Sequence, residues 1–118
     1  GVDVVLNTLA GESMLAGLSC LNFFGRFLQI DKKDIAENSP VHLGIFNKGL
    51  TFAAIDLGLL TRDYQTLSLI LARLSELFGS GKLHPVRSKI YPYQQLGEAL
   101  NFMSRSEHIG KLVVDFEV

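Results

Sequence analysis

Three short segments carry the residues best suited to chemistry: Asn7-Thr8-Leu9, Ile30-Asp31-Lys32 and Ile55-Asp56-Leu57. Asn7 and Thr8 can donate and accept hydrogen bonds, and Lys32 can meet a phosphate. The backbone groups of Ile30 and Ile55 can reach a planar amide. Asn7-Thr8 also reads equally well as a cap for the helix that follows. Other constellations fail on spacing. No G-x-G-x-x-G is present. Gly79-Ser80-Gly81-Lys82 imitates a phosphate loop, but such a loop needs Gly where Glu76 stands and Ser or Thr where Leu83 stands. It reads instead as a helix terminus. His42, His84 and His108 are too scattered for a metal-ligand pattern, so no metal site is expected. Cys20 has no evident base beside it and reads as a buried, inert thiol.

The elements that would position these segments follow from periodicity. Residues 2–6 and 26–30 are short, β-branched or aromatic runs, and residues 12–21 between them carry Met14, Leu15, Leu18 and Leu21 at helical spacing. Asn22 and Gly25 supply stop and turn signals. Strand, helix and strand with short links predict a parallel crossover unit, its first strand buried on both faces. Residues 31–38 are polar and read as loop. Residues 40–50 hold a helical turn or two, and 51–57 form a third strand. Residues 61–78 predict the longest helix, with Thr61 as its N-cap and Gly79 and Gly81 as stops. Its stripe is Leu67, Ile70, Leu71, Leu74 and Leu77 or Phe78. A strand over 86–91, a helix over 94–104 with Leu96, Leu100 and Met103 in line, and a strand over 111–116 complete the chain. In an open parallel sheet, ligands bind outside the carboxyl ends of the strands. The three polar segments meet there if strands 2–6, 26–30 and 51–57 are neighbours.

Composition narrows the class. The chain has 118 residues, 47% hydrophobic and 19% charged, with net charge −1. That excludes a disordered tail and disfavours nucleic acid or an anionic membrane as partner. One cysteine allows no internal disulfide and points to a cytoplasmic setting. An apolar run that starts at residue 2 suggests a piece of something longer.

Taken together, three stretches resemble the enoyl reductase domain of polyketide synthases and animal-type fatty acid synthases, a branch of the medium-chain dehydrogenase/reductase superfamily. They are residues 1–12 (GVDVVLNTLAGE), Cys20-Leu21 with 25–32 (GRFLQIDK) and the loop to Phe46, and Phe102-Met103 with 108–114 (HIGKLVV). They run in order over nearly the whole chain. The resemblance implies an α/β fold: the second half of a Rossmann-type parallel sheet with helices, then a strand–helix–strand return into a GroES-like substrate domain. Residues 1–58 would belong to the NADP-binding half, and 59–118 to the linking helix and the return.

The same resemblance implies NADPH as cofactor and no metal. The substrate would be an enoyl thioester on an acyl carrier protein, with hydride delivered to its β-carbon and a proton to its α-carbon. Partners would be the other domains of a synthase, and a second copy through the 51–57 edge strand. Carried over position by position, the cofactor-binding residues are Asn7, Thr8 and Leu9 beside the nicotinamide ribose, Ile30, Asp31 and Lys32 after the second strand, Ile55, Asp56 and Leu57 facing the carboxamide, and Lys111 as a phosphate or substrate contact. Lys111 reads equally as a strand-edge lysine. Asp31 stands where the family usually has Gly, which puts close cofactor approach in doubt. The family's glycine-rich loop and proton donors match no position here, so the 118 residues alone are expected to be inert. A non-catalytic binding remnant and a free-standing quinone or alkene reductase are the alternative readings.

Overall fold

A computed structural model of the chain describes residues 1–117, which fall into two units, one over 1–68 and one from Leu69 onward. The first unit is a three-stranded sheet of β1 (Val2–Asn7), β2 (Leu21–Gln29) and β3 (Thr51–Ala54), in that order and parallel throughout. Helix α1 (Glu12–Ser19) links β1 to β2. The parallel pairing expected from strand, helix and strand is therefore present.

One face of this sheet makes the core. Side chains alternate along a strand, and Leu21, Gly25, Phe27 and Gln29 of β2 are all buried while Arg26 between them is exposed. Met14 and Leu18 of α1 close on Leu21 and Phe27, with Val5, Val41, Ile45, Phe46 and Leu50 packed around them. Phe52 of β3 stacks on Phe27 with ring centroids 5.5 Å apart. The other face is open, which corrects the expectation for the first strand. Val2, Val4 and Leu6 remain 47%, 45% and 62% exposed, because only the side that carries Val5 and Asn7 is covered.

The boundaries shift for identifiable reasons. Asn22 and Gly25 do not precede the second strand; they lie inside it. Pairing starts at Val2↔Leu21, and the register then jumps to Val4↔Arg26. The intervening residues bulge out, with Phe24 at φ 61° and its N–H donating to the Lys48 carbonyl at 2.8 Å. A Cβ at Gly25 would sit 2.9 Å from the Leu21 side chain, so the bulge needs a glycine there. Cys20 ends α1 and is exposed rather than buried. The polar stretch after β2 contains a short helix, α2 (Lys33–Ala36). A 3-10 turn over Leu43–Phe46 fills the expected helical turn, and β3 stops at Ala54 rather than 57.

Helix α3 (Tyr64–Gly79) starts three residues later than expected. Asp63 caps it in place of Thr61: its Oδ1 accepts the Thr66 N–H at 3.1 Å and its Oδ2 accepts the Thr66 hydroxyl at 2.6 Å. Thr61 instead donates its hydroxyl to the Gly58 carbonyl at 2.7 Å, within a 3-10 turn over Leu59–Arg62. The helix ends as the glycines predict. Gly81, at φ 72°, donates to the Phe78 carbonyl while Lys82 donates to the Leu77 carbonyl, the paired closure of a Schellman motif. No residue of α3 is buried; Leu67 and Leu77 are half-buried and the rest of its stripe is exposed.

The second unit pairs β4 (Ser88–Pro92) with β5 (Lys111–Asp115), again parallel, with α4 (Leu96–Ser104) between them. Tyr91 and Ala99 are its buried residues. The expected α4 stripe does not make that core: Leu96, Leu100 and Met103 are 42%, 51% and 49% exposed. Phe102 instead lies under Lys89, whose Nζ is 4.9 Å from the ring centre.

Candidate functional site

The carboxyl ends of β2 and β3 open into a cleft of about 290 Å³. Gln29, Ile30, Asp31 and Lys32 line it from the β2 side, and Ala54, Ile55 and Asp56 from the β3 side. Ile35, Ala36 and Leu59 add apolar wall. The topology expected from the sequence brings these segments together, because both strands run toward the same edge.

The backbone sets the chemistry of this edge. The Ile30 N–H donates to the Asn7 carbonyl at 2.9 Å, and the Ile55 N–H donates to the Gln29 carbonyl at 2.8 Å. Both amide hydrogens are thus spent on the sheet. Among the described residues no backbone N–H reaches the carbonyl oxygen of Ile30 or Ile55. These are the acceptors that a ligand carrying an amide NH₂ would seek.

Two charged side chains meet across the cleft. Lys32 Nζ donates to Asp56 Oδ1 at 2.6 Å, and the Gly58 N–H donates to the same oxygen at 2.8 Å. The lysine hydrogen bond holds the Asp56 carboxyl below its ordinary value, against a smaller upward push from lost hydration; the Gly58 amide adds to the lowering. Asp31 turns its carboxylate onto its own chain, where Oδ2 accepts the Lys33 N–H at 3.0 Å at the start of α2. The side chain that stands in place of the family's Gly is therefore engaged in a local turn.

Asn7 does not cap α1. That helix starts at Glu12 with Gly11 at its N-cap and no side-chain cap bond. Asn7 is buried, and its Nδ2 donates to Gln29 Oε1 and to the Leu9 carbonyl, both at 2.6 Å. Thr8, Leu9 and Leu57 are exposed beside the sheet edge. Lys111 lies in the other unit, where it opens β5 and donates its N–H to the Arg87 carbonyl at 2.9 Å. Sequence reasoning missed Gln29, Ile35 and Leu59. Gln29 had a signal: it shares strand parity with Phe27, so a polar side chain was due to face the core. The two-residue return from Asp31 into α2 offered none.

The family model for zinc-binding dehydrogenases matches residues 1–114. Polyketide synthase 37 of Dictyostelium discoideum is 38% identical over 120 residues, which is 98% of this chain and 4% of that protein. The phthioceranic/hydroxyphthioceranic acid synthase of Mycobacterium tuberculosis is 41% identical over 115 residues, 97% of this chain and 5% of that protein. Among solved structures, the CurF ER cyclopropanase from the curacin A biosynthetic pathway superposes with TM-score 0.79 at 30% identity, over 97% of this chain and 34% of that one. The nucleotide-binding subdomain of the enoylreductase domain of PpsC from Mycobacterium tuberculosis gives 0.64 at 35% identity, over 71% of this chain and 48% of that one. The chain thus spans a small part of these synthases and less than half of either solved chain. The family description names zinc, yet among the described residues no three His, Cys, Asp or Glu side chains gather closely enough to hold a metal ion. No helix there is long and apolar enough to cross a membrane.

Proposed function

Because this chain belongs to the zinc-binding dehydrogenase family, with enoyl reductase domains of polyketide synthases among its relatives, we propose that it forms part of an NADPH-dependent enoyl reductase. The substrate is the double bond of an enoyl thioester held on an acyl carrier protein. The observation that carries this reading is the cleft after β2 and β3, with one lysine and two carbonyls that no backbone N–H among the described residues reaches, at a parallel sheet edge.

When bound, NADPH would supply the hydride that goes to the β-carbon, and a proton then completes the α-carbon. The residues of this chain hold and orient. The carbonyls of Ile30 and Ile55 accept from the carboxamide, Asn7-Thr8-Leu9 border the ribose, and Lys32 offers its ammonium to a phosphate while Asp56 fixes where that ammonium rests. Leu57 and the walls Ile35 and Leu59 shield the ring from water. Lys111 would be a phosphate or substrate contact from the return segment. Residues 1–58 would serve the cofactor half and 59–118 the linking helix and the return. The other synthase domains are the partners, with a second copy paired along the 51–57 edge.

The test uses the full-length protein that carries this chain, given NADPH and a crotonyl thioester on a carrier protein. Consumption of NADPH coupled to butyryl thioester is expected, with none from the 118 residues alone. A folded full-length protein that neither binds NADPH nor reduces the thioester would sink the reading.

A further inference from the structure

Asn7 and Gln29 are register partners at the last pairing of β1 with β2, and they are 5% and 1% exposed. Two amides this deep in a sheet must find partners, because an unpaired buried polar group loses its hydration with nothing in return. They find them in a repeated pattern. Asn7 donates to the carbonyl two residues on, that of Leu9, at 2.6 Å. Gln29 donates to the carbonyl two residues on, that of Asp31, at 3.0 Å. Between them, Asn7 Nδ2 donates to Gln29 Oε1 at 2.6 Å. Each amide ties down the segment that leaves its own strand, and the cross-bond ties the two exits together.

We infer that Asn7 and Gln29 are a coupled pair of positioning residues: a buried amide bridge that sets the path of Leu9 and the path of Ile30 to Lys32, the latter a wall of the cleft. Gln29 is the keystone, because its side chain bonds both the Asn7 amide and the exit of its own strand at the Asp31 carbonyl. It sits one residue before Ile30, and its own backbone carbonyl receives the Ile55 N–H at 2.8 Å, so its placement also carries to β3. With the Asp31 carbonyl held by Gln29 and the Asp31 carboxylate by the Lys33 N–H, the turn that delivers Lys32 is fixed at both of its polar ends. This inference rests on the proposed nicotinamide role of the cleft. It assigns no contact with cofactor to the Gln29 amide; the effect of the bridge is on how well the ring is aimed.

The test uses the full-length protein with NADPH deuterated at the transferring position. Gln29→Met keeps the volume and removes both hydrogen bonds. Gln29→Glu keeps the acceptor for Asn7 and loses the donor to Asp31 while ionised. Misaiming by a fraction of an ångström should lower kcat by about tenfold to a hundredfold and raise the isotope effect on kcat, with the affinity for NADPH little changed. A merely structural role would lower the active fraction and leave the isotope effect per active molecule as it was. Gln29→Glu should recover toward wild type as pH falls and the buried carboxyl gains the proton it can donate. If Gln29→Met fails to fold, Gln29→Glu carries the decision by the same two readouts. An active wild type whose Gln29 variants show an unaltered isotope effect overturns this inference alone. A wild type that consumes no NADPH overturns the functional reading and this inference with it.

Discussion

Lys32 Nζ lies 2.6 Å from Asp56 Oδ1, so an ion pair joins the segment that leaves β2 to the segment that leaves β3. The lysine side chain is 60% exposed and the aspartate 30%, so the pair is a tether at the mouth of the cleft, open to solvent and screened by salt.

Its pH dependence has a definite sign. The folded-state pKa of Asp56 is lowered, chiefly by the Lys32 hydrogen bond. The tether therefore stabilises the fold above the ordinary carboxylate value and is lost as pH falls through the lowered one. Carbon-13 titration of the Asp56 carboxyl should show a midpoint under 3.8, and Lys32→Met should move it back up toward that value. An unmoved midpoint in the variant would show that the lysine is not the cause.

Asp63 should behave as a helix cap. Its carboxyl is held low, first by the Thr66 hydroxyl and then by the Thr66 amide. Asp63→Ala should fray the first turn of α3, seen as faster amide exchange at Thr66, while Asp63→Ser should preserve protection. Thr61→Ala should leave Thr66 unchanged, because Thr61 bonds the Gly58 carbonyl within the preceding turn.

Phe27 should be the most costly side chain to truncate in the first unit. It is fully buried against Met14, Leu18 and Leu21 and stacked by Phe52. Phe27→Ala should cost about 3–5 kcal/mol, measured by urea denaturation. Phe23, 70% exposed, should tolerate alanine within about 0.5 kcal/mol.

Gly110 should be irreplaceable in the second unit. Its φ is 91°, and a Cβ there would run into the Arg87 carbonyl, the same oxygen that accepts the Lys111 N–H. Gly110→Ala should destabilise this unit by more than about 1 kcal/mol and weaken the β4–β5 pairing, visible as lost amide protection at Lys111. Gly97→Ala, with open space around it, is the control.

Much of this architecture was legible because it is written in periodicity. Met14 and Leu18 at i and i+4 marked the packed face of α1, and strand–helix–strand spacing carried the parallel order. Three kinds of feature were not legible. The bulge at Asn22 to Gly25 looked like a strand boundary, because the same residues serve turns and bulges. The cap fell to Asp63 over Thr61, two residues that can both cap, because the 3-10 turn claimed the threonine hydroxyl. Exposed stripes on α3 and α4 misled because periodicity reports which face is apolar, not what covers it. At the site, Lys32 and Asp56 were expected at one edge from topology, but their contact was not. Capping stood level with ligand binding for Asn7, because its partner Gln29 is distant in sequence and adjacent only across the sheet. The enoyl reductase reading came from resemblance over whole stretches rather than from any isolated residue.

The parallel pairing in both sheets has a consequence for how the chain folds. A hairpin can close by a local turn, but Val2 must find Leu21, Arg26 must find Thr51 and Ser88 must find Lys111. Each search spans about twenty or more residues, as parallel crossovers require. No strand can zip from a neighbouring turn, so ordering entropy is spent before any ladder bond forms, and folding should be slow beside a helical protein of this length. While that search lasts, Val2, Val4 and Leu6 stand unpaired, and refolding yield should fall as protein concentration rises.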